Sequence, residues 1–304
     1  MPSADGRVRN VFLSMWWIVM ALVGYAGHRH DKGGVEDPSG NARMAATEVA
    51  GITLDVIDVG NGPPVMFLRA EHFMDQQLDF ATSLAMSARV LTPGYPGFDG
   101  RAVADDIRSV EDLTYLYLQL LDDLALDRVT LIGSSIGGWI ALEMAVRCPG
   151  RFAGLLLLSP LGVKLAARDE RQFADLAAMP TNEAFAGLFG DQDKAPDFAR
   201  YSAAQMEAIG RERQYLAYFA WNPYLHNPRL KRWLSRVNMP VELLWGGADR
   251  MQAPHYGEQL QSLLPDAELT VLPGIGHMPQ LEDDAAVGAA FARLRRRTQT
   301  EASA

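Results

Sequence analysis

Residues Val129 to Arg147 read VTLIGSSIGGWIALEMAVR, and this stretch constrains the fold more than any other part of the chain. An apolar run of strand character ends at Gly133, and a segment of helical period starts at Ile136. Only a sharp turn around Ser134 and Ser135 can join them, because strand and helix nearly touch two residues before and two after the turn's apex. Gly133 and Gly137 supply the small residues this needs. A serine on such a turn is held clear of both elements, with the amide of Ile136 at the helix N-terminus pointing to where a carbonyl oxygen would become negative. The pattern G-x-S-x-G is moderately specific; a tight turn in some other α/β fold carries the same residues.

The surrounding chain has the matching organisation. Apolar runs rich in Val, Ile and Leu at Ile52–Val59, Val65–Arg69, Arg89–Thr92, Val129–Gly133, Gly154–Ser159, Val241–Trp245 and Glu268–Leu272 alternate with helical segments. That alternation predicts a mainly parallel sheet with helices on both faces. Within Asp112–Leu126, Leu113, Leu116, Leu120 and Leu124 fall on one helix face, behind a capping-box pattern of Ser109 and Asp112. From Leu161 to Asn238 the strand signal stops, and short helical stretches are separated by Pro180, Pro196, Pro223 and Pro228. Strand and helix then alternate again, so residues 161–238 read as a helical cap inserted into one core of residues 46–160 and 239–298. Residues 1–45 form an extension outside that core, and 299–304 a tail.

A serine hydroxyl is a weak nucleophile at neutral pH, so a base must take its proton and an acid must hold that base in one tautomer. Asp249, in WGGAD, follows the strand at Val241, and His277, in PGIGHMPQLED, follows the strand at Glu268. Singly, an Asp after a strand is usually a cap and a His between Gly and Met a loop residue. In the chain order Ser135, Asp249, His277, with the turn already present, they read as nucleophile, acid and base.

On these residues the chain from Thr47 to Arg297 resembles a capped member of the α/β-hydrolase superfamily, similar to carboxylesterases and to meta-cleavage-product C–C hydrolases. The matching stretches are PPVMFLRA, VLTPGYPGFDG, LIGSSIGGWIALEMA, LLWGGADR and PGIGHMPQLE. The resemblance implies an eight-stranded core, catalysis by Ser135, His277 and Asp249, and no cofactor. One segment departs from the pattern. The family reads His-Gly after the second of these strands, whereas this chain reads Arg69-Ala70-Glu71-His72. The second oxyanion donor in the family is a main-chain amide, so Ile136 N–H and Glu71 N–H are the expected pair. A carboxylate close to a developing oxyanion is unfavourable unless Arg69 or solvent neutralises it. The expected substrate pocket takes in Ala70, Ser134, Tyr95, Trp139, Trp221 and Met278.

Composition narrows the remaining classes. The 304 residues, 48% hydrophobic and 21% charged, exclude collagen-like, disordered and disulfide-scaffold chains. A net charge of −9 argues against nucleic acid, and Arg293, Arg295, Arg296 and Arg297 read as the solvated end of a last helix. One cysteine, Cys148, excludes an internal disulfide. His28 and His30 lack neighbouring ligands, and no metal is expected. Val11–Ala26 is an uncharged, apolar run behind Arg7 and Arg9. It reads as an export signal or anchor, or as sequence upstream of a true start at Met44. The last reading places the protein in the cytoplasm; the first allows membrane contact, if residues 11–26 are retained.

The expected partner is a small-molecule ester or acyl substrate, and a homodimer is compatible with the sequence. Three functions are in view: a serine hydrolase of small or medium esters working through an acyl-enzyme, a C–C bond hydrolase of vinylogous diketones, and a non-catalytic binding protein that keeps the pocket.

Overall fold

The computed structural model of the chain describes residues 35–36 and 42–301 apart from positions 99 and 168. The Val11–Ala26 run, His28 and His30 lie outside the described residues. Among those described, no helix is long and apolar enough to cross a membrane.

Among the described residues nine strands make one sheet: β1 Val35–Glu36, β2 Ala42–Val49, β3 Ile52–Val59, β4 Pro64–Leu68, β5 Arg89–Pro93, β6 Val129–Ser134, β7 Phe152–Leu158, β8 Val241–Gly246 and β9 Ala267–Leu272, in the order β1-β2-β3-β5-β4-β6-β7-β8-β9. Strands β4 to β9 pair in parallel, while β1, β2 and β3 join antiparallel at one edge. The eight strands β2–β9 make the expected mostly parallel core sheet, and the two-residue β1 adds a ninth at the edge. Every residue of β6 and of β8 is buried, which is why these strands read as unbroken apolar runs without alternation.

All seven expected strands are present, with ends shifted by a residue or two. Two strands are missing from the expected set: the two-residue β1, and β2, which pairs with β3 from Ala42↔Val59 to Val49↔Ile52. For β2 the sequence itself gives the reason: ARMAATEV has three alanines and few β-branched residues, so neither propensity nor alternation marks it.

Helix α1 spans Leu78–Leu84 and α2 Val110–Asp123. The Ser109 hydroxyl caps α2 by accepting from the Asp112 amide at 3.2 Å. The reciprocal half differs from the expected box: the Asp112 carboxyl takes the amide of Arg108 at 2.9 Å, one residue earlier. Leu113, Leu116 and Leu120 are buried, and Leu124, the cap residue, is partly buried. Helix α3, Ile136–Arg147, is buried along nearly its whole length.

Between β7 and β8 the insertion holds α4 (Thr181–Ala186), α5 (Ala203–Ala220) and four 3-10 turns. Ser202 and Gln205 form a capping box at the start of α5. Pairing of strand type within it is limited, among the described residues, to an isolated bridge between Gly162 and His226. Three more helices complete the core: α6 His255–Gln261, α7 Pro279–Glu282 and α8 Asp284–Glu301.

The arginines near the C-terminus are not simply a solvated helix end. Arg297 donates to Glu242 Oε1 at 2.9 Å and to Asp266 Oδ1 at 2.6 Å, and Arg293 donates to Glu242 Oε2 at 3.2 Å. Glu242 is buried in β8, so these two arginines neutralise a charge inside the sheet and dock α8 on it.

A second buried carboxyl joins the insertion to the core. Glu282, in α7, accepts from the amide of Gly276 at 2.7 Å and from those of Gly190 and Asp191 at 2.9 Å each. It therefore ties the loop after β9 to the turn after α4. Glu282→Ala leaves three amides without an acceptor and is expected to lower unfolding free energy by about 3 kcal/mol or more. Urea denaturation measures it; an unchanged midpoint would remove this carboxyl as the tie.

Candidate active site

Ser135 sits at the apex of the turn between β6 and α3 with φ 52° and ψ −116°. Left-handed backbone at a non-glycine residue costs of order 1–3 kcal/mol and persists only where surroundings enforce it. Here the peptide is held on both sides: Ser135 N–H donates to the Leu158 carbonyl at 3.0 Å, and the Ser135 carbonyl accepts from Trp139 and Leu161 at 3.1 and 3.0 Å. The glycines are sterically required. A Cβ on Gly133 would lie 2.5 Å from the Gly137 carbonyl oxygen, and one on Gly137 only 2.0 Å from that of Leu68. Thus α3 is pressed against the end of β4 as well as against its own strand, which brings the Arg69–His72 segment to the serine.

Asp249 and His277 arrive on the loops after β8 and β9. Asp249 Oδ1 accepts from the amides of Met251 and Gln252 at 2.8 and 2.9 Å, which leaves Oδ2 for His277 Nδ1 at 2.8 Å. His277 Nε2 then lies 2.9 Å from Ser135 Oγ. All three expected residues meet, and both the serine and the histidine are fully buried. Burial alone would push the His277 pKa down. The charge and hydrogen bond of Asp249, joined by the charge of Glu71, outweigh it and hold the ring above its ordinary value. Such a pair fixes the tautomer with its free lone pair toward Oγ whenever the imidazole is neutral.

Glu71 reaches this site through its carboxyl. Oε2 accepts from the Ile136 amide at 3.3 Å and Oε1 lies 3.1 Å from Ser135 Oγ, in the place expected for an oxyanion. Arg69 does not neutralise it: its guanidinium donates to the Met74 carbonyl at 3.1 Å. The nearest potential cation is His72, with Nε2 4.0 Å from Glu71 Oε1.

Two glutamines that the sequence did not single out hold the segment. Gln77 accepts from the Ala70 amide at 2.9 Å and donates to the carbonyls of Ala70 and His72 at 3.2 and 2.7 Å. Gln280 donates to Gln77 at 3.1 Å and accepts from Ser134 at 3.2 Å. A third residue, Glu212 of α5, accepts from the amides of Phe73 and Met74 at 3.0 and 3.2 Å. Burial pushes its pKa up to about 8. No periodic motif marks these residues: Gln280 and Glu212 act across large gaps in sequence, and Gln77 bonds the backbone of an irregular loop five to seven residues before it.

The remaining expected pocket residues divide. Trp221 is half exposed and lines a groove with His72, Arg213, Leu216, Tyr224 and neighbouring residues of the insertion. Ala70, Ser134 and Met278, each next in sequence to a residue of the site, are fully buried. Tyr95 and Trp139 are committed to structure: the tyrosine hydroxyl donates to the Arg69 carbonyl at 2.6 Å, and the indole N–H to Glu143 at 3.0 Å. His226 places Nδ1 2.8 Å from the Tyr224 carbonyl and stacks on Phe173.

Residues 60–290 match the alpha/beta hydrolase family. A 2-hydroxy-6-oxo-2,4-heptadienoate hydrolase from Pseudomonas putida is 32% identical, covering 80% of this chain and 93% of its own. A pimeloyl-[acyl-carrier protein] methyl ester esterase from Aromatoleum aromaticum is 30% identical, covering 67% and 87% respectively. Among solved structures, naproxen esterase from Bacillus subtilis superposes with a TM-score of 0.66 at 18% identity, over 96% of this chain and 99% of its own.

His72 carries a measurable consequence. Burial, opposed by the charge of Glu71 and reinforced by Arg213 and His277, lowers its pKa from 6.5 to about 4. Between these values the unfolded chain binds a proton at this position that the folded chain does not, so stability falls as the pH falls through that window. His72→Phe is expected to reduce the loss of stability between pH 7 and pH 4 by about 3 kcal/mol. Urea unfolding of both proteins at the two pH values measures the difference; equal losses would contradict a buried neutral ring.

Proposed function

From the premise that the chain belongs to the alpha/beta hydrolase family and is a hydrolase, we propose that it is a serine hydrolase cleaving a small or medium ester or related acyl bond. The observation that carries this reading is the continuous relay from Asp249 Oδ2 through both His277 nitrogens to Ser135 Oγ, at 2.8 and 2.9 Å. In it, Ser135 Oγ bonds to the acyl carbon while its proton passes to His277 Nε2, and Asp249 stabilises the imidazolium. Collapse of the tetrahedral species breaks the bond to the alcohol oxygen, which leaves with the proton from His277. Water then repeats the sequence on the acyl-enzyme, releasing the acid and restoring the hydroxyl. The Ile136 amide is one oxyanion donor and Glu71 N–H the second, once the acyl oxygen rather than the Glu71 carboxyl faces them. In this reading residues 161–238 serve as a cap whose groove, with Trp221 and Tyr224, receives substrate.

A second reading within the same family is hydrolysis of a C–C bond in a vinylogous diketone. It is favoured by the 32% identity to the heptadienoate hydrolase over most of both chains. The ester reading has comparable support in the 30% identity to the methyl ester esterase. Family membership and the assembled relay count against a non-catalytic binding protein.

Steady-state assays on p-nitrophenyl butyrate and on a dienoate diketone separate the two. Ser135→Ala is expected to reduce turnover of the preferred substrate by roughly 10⁴-fold or more with the fold retained, and Asp249→Asn by roughly 10⁴-fold. Undiminished turnover by Ser135→Ala would refute the role given to the serine.

A further inference from the structure

The Glu71 carboxyl and an acyl oxygen compete for one place. Its Oε2 takes the Ile136 amide at 3.3 Å, and its Oε1 lies 3.1 Å from the hydroxyl that would attack. The residue is wholly buried, so the contact is not a side chain resting at the rim. While the carboxyl is there, a carbonyl cannot reach that amide, and negative charge developing on its oxygen would meet a second acidic group in a fully buried site.

The segment bearing Glu71 is also the wall of the groove. His72, the next residue, is nearly fully buried and lines a groove whose other side belongs to the insertion: Leu176, Leu216, Ala217, Trp221 and Tyr224. Beyond His72, the Phe73 and Met74 amides hang on Glu212 of α5. Moving Glu71 out of the hole therefore disturbs contacts on both the core and the insertion, and some binding interaction must drive it. An apolar groove that reaches His72, the residue after Glu71, is where a substrate can supply that drive from its non-reacting part.

We propose that Glu71 is the specificity-determining residue of this site: its carboxyl holds the oxyanion position until a substrate with a bulky apolar acyl or alcohol group fills the groove against His72 and displaces it. The inference rests on the serine hydrolase reading. Esters too small to occupy the groove, such as acetyl esters, bind without the interaction needed to expel the carboxyl and turn over slowly. Of the polar members of the groove, Arg213 keeps its partners within the protein, whereas His72 Nδ1 has no hydrogen-bond partner among the described residues; the rest of the lining is aliphatic or aromatic, which favours an apolar group. The Arg213 guanidinium donates to Thr181 Oγ1 at 2.6 Å and to the Leu176 carbonyl at 3.1 Å, and His72 packs edge-on against Phe185.

The test compares kcat/KM for p-nitrophenyl acetate and p-nitrophenyl octanoate in the full-length wild type, in Glu71→Ala and in Glu71→Gln. Wild type is expected to favour octanoate at least tenfold. Glu71→Ala is expected to raise acetate turnover at least tenfold with a smaller gain on octanoate, so that the ratio between the esters contracts. Glu71→Gln keeps the volume and loses the charge, and is expected to move the ratio the same way; it decides the matter if the alanine variant does not fold. An unchanged ratio, an equal rise on both esters, or a fall on acetate in a folded variant overturns the proposal. A fluorophosphonate probe, with the adduct located by mass spectrometry, is applied to all three proteins. Labelling of Ser135 together with an unchanged ratio overturns only the role of Glu71. Failure of every protein to label or turn over removes the serine hydrolase reading and this inference with it.

Discussion

Everything in the site depends on how closely α3 is allowed to approach β4 and β6. Without side chains at Gly133 and Gly137, the helix start falls within van der Waals reach of two strand ends, where any Cβ would sit inside a carbonyl oxygen. That approach forces Ser135 into left-handed backbone and puts the Ile136 amide, the serine hydroxyl and the segment after β4 into one small volume. The cost of the strained residue is offset by the three main-chain hydrogen bonds that clamp it and by the burial of nearly all of α3. The turn thus fixes the carbon that carries the hydroxyl, and His277 and Glu71 lie within 3.1 Å of the hydroxyl itself.

Around this point the protein uses buried carboxyls as connectors. Glu282 gathers amides from the loop that carries His277 and from the insertion. Glu212 reaches from the insertion to the segment after β4. Glu242 receives two arginines from the last helix. A buried acid is costly unless several donors surround it, so each of these positions couples elements that cannot move independently without orphaning a charge or an amide. His277 and Glu71, the two groups nearest Ser135 Oγ, both sit on loops anchored in this way. The insertion and the core therefore meet through polar contacts that hold the two loops bordering Ser135 Oγ, in addition to the apolar cluster they share.

Local pattern carried much of this. Fully buried parallel strands such as β6 and β8 are continuous apolar runs, and α2 shows its leucines at helical spacing, so both are readable in a short window. Strand β2 was not, because its alanines give neither a β-propensity nor an alternating face; its partner β3 and the adjoining sheet make it a strand. The C-terminal arginines misled for a related reason: their charges look solvated until the sheet brings Glu242 beneath them.

What the amino-acid order determined by itself was the α/β architecture and that Ser135, Asp249 and His277 come together, because each lies just past a recognisable strand and a parallel sheet delivers such ends to one edge. The tertiary structure alone decided what surrounds them. That the Glu71 carboxyl lies against Ser135 and Ile136, and that Gln280 and Glu212 reach the segment after β4, follow from contacts between residues far apart in the chain, and these in turn fix the loop in which Arg69 meets Met74 and Gln77 meets Ala70 and His72. Such contacts leave no periodic trace, since a side chain's partners are set by where the backbone has already been packed.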